Sequence, residues 1–78
     1  MPAERIEVIS YAGRKGDERP QTFALRGLRI DVEAIIESWI EEEYRSRARK
    51  RYFRIRGNDG GTHLIYFDQQ SLEWFYGS

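Results

Sequence analysis

The chain has 78 residues, the size of one small domain, and we predict a single domain over residues 1–78. It contains no cysteine, which excludes disulfide bonds and thiolate metal sites. Its 13 basic and 13 acidic residues give a formal net charge of zero, which argues against a chain whose whole surface attracts nucleic acid or anionic membrane.

The N-terminal residues lack the apolar stretch of a signal peptide. No segment approaches the roughly 18 apolar residues that a membrane-spanning helix needs. We therefore expect a cytoplasmic protein without a membrane segment. Residues 5–11 combine β-branched and aromatic side chains and are predicted to form the first strand. A loop is predicted over residues 12–20, where two glycines and a proline interrupt the pattern.

A β-hairpin is predicted around a two-residue turn at Arg26-Gly27. The apolar face of this hairpin would pair Leu25 with Leu28, Phe23 with Ile30, and Gln21 with Val32. The opposite face carries polar or small side chains, as a half-buried antiparallel pair requires.

Two interpretations fit residues 32–48. In the first, the apolar residues recur at helical spacing and Glu41 precedes Arg45 by one helical turn, which gives an α+β fold with a helix at 32–48. In the second, a long strand carries a β-bulge near Ile35-Ile36, and a short helix lies within residues 40–50. The residues alone do not separate the two.

The last third predicts a three-stranded meander over residues 51–57, 61–68 and 72–76. The turn Asn58-Asp59-Gly60 would place Gly60 in the left-handed conformation. The predicted register pairs Ile55 with His63, Phe53 with Ile65, Arg51 with Phe67, Phe67 with Leu72, and Ile65 with Trp74.

Catalytic machinery is not recognisable in the sequence. His63 is the only histidine, and the acidic residues between 31 and 43 have no spacing typical of a metal or acid–base site. We read His63 as a core or rim residue and the acidic run as a solvated face. The sequence therefore predicts a protein that is not an enzyme, with no catalytic residue, metal or cofactor.

A basic stretch is the strongest candidate for function. Residues 45–56 hold seven cations and no acid, interleaved with aromatic side chains. Together with residues of the neighbouring strands they predict a possible binding face: Arg45, Arg47, Arg49, Tyr52, Arg54, Arg56, Tyr66 and Phe75. Surface Tyr and Arg are preferred anchors for a protein partner, and stacked aromatics with cations also suit single-stranded nucleic acid. A third interpretation is that the arginines only neutralise the acidic run before them.

A series of weak motifs spans nearly the whole chain. It comprises Ile6-Glu7-Val8-Ile9, Arg19-Pro20 with Phe23, Gly27, Val32, Ile36, Trp39, Arg51-Tyr52-Phe53-Arg54-Ile55, Asp59-Gly60-Gly61, Asp68 and Leu72-Glu73-Trp74-Phe75-Tyr76-Gly77. The series resembles a bacterial family of small β-rich proteins and domains of unknown function. It is also similar to the C-terminal module of polymerase-like subunits of translesion mutagenesis complexes. The resemblance implies an all-β accessory module and a strand over residues 32–39, and it implies no catalytic or binding residue.

We therefore predict a mainly β fold, a small curved antiparallel sheet or open barrel of five to six strands. The predicted core is Ile6, Val8, Phe23, Leu25, Leu28, Ile30, Val32, Ile36, Trp39, Phe53, Ile55, Ile65, Phe67, Leu72 and Trp74. The first functional hypothesis is a protein-interaction domain with an unidentified protein partner. The second is binding of single-stranded nucleic acid through residues 45–56, and an unrecognised enzyme comes third.

Overall fold

The computed structural model describes residues 4–12 and 18–78, which form six antiparallel strands. The strands follow one another around a closed barrel, and the last strand pairs with the first. The mainly β prediction is confirmed. No helix in the described part of the chain is long and apolar enough to cross a membrane. The strands are β1 (Glu4–Ala12), β2 (Glu18–Leu25), β3 (Leu28–Glu42), β4 (Arg49–Gly57), β5 (Thr62–Asp68) and β6 (Glu73–Tyr76).

The predicted loop over residues 12–20 is shorter than expected, because β1 extends to Ala12 and β2 begins at Glu18. Residues 13–17 of that prediction lie outside the described residues. The predicted helix at 32–48 is wrong, since β3 is a strand of 15 residues. The short helix expected within residues 40–50 is also wrong: the chain makes a turn there, in which the Arg47 N–H donates to the Glu43 carbonyl at 2.8 Å.

Strand β3 contains the predicted bulge. Ile35 lies opposite Ile55, but Glu37 already lies opposite Arg54, so Ile36 is the extra residue. Glu33 is a second extra residue, between Val32 and Ala34, and the two shifts together leave the odd-numbered residues after Ile36 on the outer side. As a result Ile36 is 48% exposed and Trp39 lies on the outer side of the barrel, so both predictions that these residues belong to the core are wrong.

The predicted register of the β2–β3 hairpin is confirmed next to the turn, where Phe23 lies opposite Ile30. Arg26 and Gly27 both adopt positive φ, the conformation that a two-residue hairpin turn requires. The predicted pairing of Gln21 with Val32 is wrong. Pairing ends at Thr22 and Asp31 because β3 then bends to pair with β4.

The β4–β5 register is confirmed over its whole length, with Phe53 opposite Ile65, and Gly60 has a φ of 84° as predicted. The β5–β6 register differs from the prediction by two residues. Phe67 lies opposite Trp74, and Ile65 lies opposite Tyr76. Leu72 belongs to the turn, where its N–H donates to the Asp68 carbonyl at 2.8 Å and its φ is 59°. A shift of two keeps each side chain on the same face, so the apolar face survives the error.

The barrel interior is filled by side chains from all six strands. Two residues predicted for the core are instead exposed at turns: Leu28 is 58% exposed and Leu72 is 72% exposed. Tyr76, which the prediction omitted, packs against the core. The buried residues are Ile6, Phe23, Ile30, Phe53, Ile55, Ile65 and Trp74, and the partly buried residues packed against them are Val8, Leu25, Val32, Phe67 and Tyr76.

Candidate interaction surface

A row of four aromatic side chains crosses the outer side of the barrel, one from each of strands β3 to β6. Trp39 lies opposite Tyr52, Tyr52 opposite Tyr66, and Tyr66 opposite Phe75. The ring centroids are separated by 5.4, 4.8 and 5.3 Å along the row. We call these four residues the aromatic row. Side chains directly opposite one another on one face of a sheet are neighbours, and this register makes the row continuous.

The two end pairs of the aromatic row are stacked, and the central pair, Tyr52 and Tyr66, is tilted. The planes of Trp39 and Tyr52 are 4° apart, those of Tyr66 and Phe75 are 24° apart, and those of Tyr52 and Tyr66 are 35° apart. Nearly parallel rings about 5 Å apart cannot lie flat on strands spaced about 4.8 Å, so they stand away from the sheet. The faces of the two inner rings, Tyr52 and Tyr66, therefore contact neighbouring rings, and their edges point to solvent.

The cations beside the aromatic row have acidic partners. The Arg54 guanidinium binds Glu37 at 2.9 Å and lies 5.9 Å from the centre of the Trp39 ring. At the other end, Arg5 lies opposite Phe75 and binds Glu73 at 2.7 Å. These pairs are solvent-exposed, so each contributes at most about 1 kcal/mol to stability.

Lys50 and Tyr52 complete the chemistry of this surface. The Lys50 ammonium lies 5.5 Å from the centre of the Tyr66 ring, and Lys50 is placed between Glu41 and Asp68 on the neighbouring strands. Burial raises the pKa of the Tyr52 phenol, and Glu41 raises it further. Tyr52 therefore carries its proton at neutral pH and can donate a hydrogen bond to a partner.

The structure brings five of the eight predicted binding-face residues to one face. Tyr52, Arg54 and Arg56 alternate along β4 on the outer side of the barrel, and the register places Tyr66 and Phe75 beside them. The other three predicted residues lie apart from this face: Arg49 is on the opposite parity of β4, 3.9 Å from Glu42, and Arg45 and Arg47 are in the β3–β4 turn.

Sequence reasoning missed Trp39 as a surface residue and assigned it to the core. The signal that could have found it is the alternation from Ile30 and Val32, which places Trp39 on the outer side, and the two register shifts of β3 together preserve that assignment.

Residues 1–75 match the model of the family described as a domain of unknown function (DUF6504). The chain belongs to the DUF6504 family. Comparisons with curated proteins and with solved structures give no match. The predicted resemblance to a small domain of unknown function is thereby confirmed. The aromatic row is thus a surface feature of a DUF6504 domain.

His63 of this DUF6504 domain has a hydrogen-bond partner at each ring nitrogen. Its Nδ1 lies 2.9 Å from the Tyr76 hydroxyl, and its Nε2 lies 2.9 Å from Asp59 Oδ2. The ring also packs edge-on against the buried Phe23 at 5.6 Å. Burial raises the pKa of Tyr76, so the phenol is protonated and can donate to Nδ1 while Nε2–H donates to Asp59. This network ties the β4–β5 turn to β5 and β6.

The network around His63 serves the fold, and it provides no metal site. Among residues 4–12 and 18–78, no group of three or more His, Asp or Glu side chains is placed to hold a metal ion. The sequence predicts a core or rim position for His63, and its hydrogen bonds to Tyr76 and Asp59 place it at the rim.

Asp59 should make the stability of the domain depend on acid pH. The Gly61 N–H holds the pKa of Asp59 below its usual value, and the hydrogen bond from His63 lowers it further. Because the pKa is lower in the folded chain, ionised Asp59 stabilises the fold above the unfolded-state pKa. That contribution is lost as the pH falls through the folded-state pKa, below about pH 4.

As the pH falls from about 5 to about 2, we expect the free energy of unfolding measured in urea to decrease less for Asp59→Asn than for the natural chain. Glu33→Gln removes an exposed carboxylate of β3 and serves as the control. Equal acid sensitivity of Asp59→Asn and the natural chain would contradict the assignment.

Proposed function

We propose that this domain is a non-enzymatic protein-interaction module that binds a protein partner through the aromatic row. The observation that carries the proposal is the stacking of the rings. A platform for single-stranded nucleic acid needs exposed ring faces on which bases can stack. The inner rings of this row offer edges and two tyrosine hydroxyls instead, which suit the apolar and hydrogen-bonding groups of a protein surface.

Local charge supports the same choice of partner. Binding of a nucleic-acid backbone relies on unpaired cations that contact phosphates. Arg54 and Arg5 each bind a carboxylate. Lys50 lies between two other acidic residues, Glu41 and Asp68, on the neighbouring strands. A surface with paired charges around an aromatic centre is typical of a protein interface, in which Tyr, Trp and Arg are enriched.

The resemblance to a module at the end of a larger polymerase-like polypeptide supports an accessory role for this fold. A domain of that kind contributes a contact to an assembly, while the chemistry lies elsewhere in it. We therefore expect the partner to be a protein that carries an activity of its own.

Site-specific photo-crosslinking in the host cell tests the proposal. A benzophenone amino acid at Phe75 is expected to capture a defined protein, whereas the same residue at Leu28, exposed on the β2–β3 hairpin, is not. The purified partner should then bind the domain in solution. Tyr66→Ala should weaken that binding at least about tenfold, as expected for an interface hot spot, and Leu28→Ala should leave it unchanged.

Binding of single-stranded nucleic acid, the alternative function, is tested by a separate measurement. Amide NMR titration with a single-stranded DNA dodecamer at low salt is expected to leave Arg54 and Arg56 unshifted. Shifts at these residues that fade at about 0.3 M salt would overturn the proposal in favour of nucleic-acid binding.

A further inference from the structure

Strand β3 has an edge that none of the described strands covers. Its first residues pair with β2, but that pairing ends at Asp31, and from Val32 onward β3 pairs only with β4. Strand β2 meanwhile diverges to pair with β1 alone. We call the side of residues 33–42 that faces away from β4 the open edge. An uncovered strand edge displays backbone N–H and C=O groups to which another chain can pair.

Two clefts lie where β2 and β3 diverge. One, of about 430 Å³, is lined by Pro20, Val32 and Ile35. The other, of about 290 Å³, extends the opening toward Ser38, Arg51 and Phe53, and Arg19 lines both clefts. Pro20 has no N–H, so the β2 wall lacks a donor at that position and cannot continue the ladder there. The free pairing capacity of the cleft therefore lies on β3.

The open edge has an acidic outer side, and its inner side carries the apolar Ile40 together with Ser38 and Glu42. Beyond the bulge, Glu37 and Glu41 share the outer side with Trp39. Ile40 shares the inner side with Ser38 and is 44% exposed. A strand added here would continue the sheet, and its side chains would alternate between these two sides.

Strand β4 shows which side chains suit β3. On the outer side Arg54 lies opposite Glu37 and Lys50 lies opposite Glu41, with the Arg54–Glu37 pair at 2.9 Å. On the inner side β4 presents the buried Ile55 opposite Ile35 and the buried Phe53 opposite Ser38, followed by Arg51 opposite Ile40 and Arg49 opposite Glu42. A strand added at the open edge would lie on the opposite side of β3 from β4. Its side chains would contact the same β3 side chains, because each β3 side chain would lie between its neighbours on the two flanking strands.

We propose that the open edge binds an extended protein segment in which basic and apolar residues alternate, and that the segment adds to the sheet as an antiparallel strand. Charge complementarity selects this occupant. A second copy of the chain is disfavoured, since residues 33–43 carry five acids and no base, and β3 paired with β3 would bring like charges together. This surface meets the aromatic row at Trp39, and it differs from the interface proposed above because it recruits the partner through backbone hydrogen bonds at an edge.

Amide NMR with a synthetic heptapeptide tests the proposal, the probe being an acetylated and amidated peptide in which Lys or Arg alternates with Val. We expect shifts and slowed hydrogen exchange for amides within residues 33–42. A peptide with Glu in place of Lys and Arg should bind at least about tenfold more weakly.

Backbone methylation of the peptide separates strand addition from simple charge attraction. N-methylation of alternate residues removes the donors on one edge of the peptide strand only. Of the two possible methylated peptides, one is expected to lose binding and the other to retain it. Equal binding of both, or concentration-dependent protection of residues 33–42 without peptide, would overturn the proposal.

Variants of the chain locate the site. Glu37→Lys combined with Glu41→Lys should weaken peptide binding at least about tenfold, whereas Glu73→Lys, a charge reversal on the outer side of β6, should not. Phe75→Ala should leave peptide binding unchanged, so a failure of the aromatic-row interface and a failure of the open edge are distinguishable. Peptide binding that survives the double reversal would contradict the assignment.

Discussion

Truncation of Phe23 to alanine is expected to remove most of the stability of this domain. Phe23 is 1% exposed and packs against both His63 and Tyr76. Replacing a buried Phe with Ala costs about 3–5 kcal/mol, through lost burial and the cavity left behind. A chain of this length has a free energy of unfolding of only about 4–12 kcal/mol. We therefore expect a large shift of the urea midpoint, measured by circular dichroism.

Leu28→Ala is the matched control for Phe23→Ala, because the sequence pattern assigns both residues to the core while the structure leaves Leu28 58% exposed. We expect this change to cost less than about 1 kcal/mol. If Phe23→Ala does not yield folded protein, Phe23→Leu should still lose more stability than Leu28→Ala, although less than is expected for Phe23→Ala. Equal losses at positions 23 and 28 would contradict the arrangement of the barrel.

Gly57→Ala is the second substitution with a large expected effect. Gly57 ends β4, and a Cβ added to it would lie 2.6 Å from Cγ2 of Ile30 and 2.6 Å from Oδ1 of Asp59. Ile30 is 1% exposed and enclosed by the core, so it has little room to move. Overpacking of this kind costs about 1–3 kcal/mol.

Gly61→Ala provides a comparison within the same turn. The nearest atom to its added Cβ is Nε2 of His63 at 3.3 Å, at the end of a side chain, and no buried apolar group is close. We expect the loss of stability to be clearly smaller than for Gly57→Ala in thermal unfolding. A larger loss of stability for Gly61→Ala than for Gly57→Ala would show that the contact of Gly57 with Ile30 does not determine the effect of these substitutions.

The closest agreement between sequence and structure is in the β4–β5 hairpin. The alternation of residues 51–57 and the Asn58-Asp59-Gly60 turn specify one register, and Phe53 lies opposite Ile65 as that register requires. Strand alternation and turn residues are local properties, so a single sequence carries them. The same reasoning placed Tyr52, Arg54 and Tyr66 together on the outer face.

Predictions about element ends and about β3 were less successful. The turn before β6 contains Leu72, although an apolar residue two positions before Trp74 favours a strand there. Two extra residues in β3, Glu33 and Ile36, together decide whether Trp39 is a core residue or the first ring of a surface row. Both outcomes depend on how far each strand continues before the barrel closes, which no local pattern records.

By itself the sequence determined the β4–β5 hairpin, the registers near the hairpin turns and the separation of apolar from polar faces, because side-chain alternation is written in neighbouring residues, whereas residues 32–48 fitted both a helix and a strand. Only the tertiary structure decided that Leu28 is exposed, that β2 and β3 part after Thr22 and Asp31, and that four aromatic rings stack across four strands. The physical reason is closure of the barrel. Bending β3 to pair with β2 at one end and β4 at the other sets which apolar side chains are covered and which edge stays open.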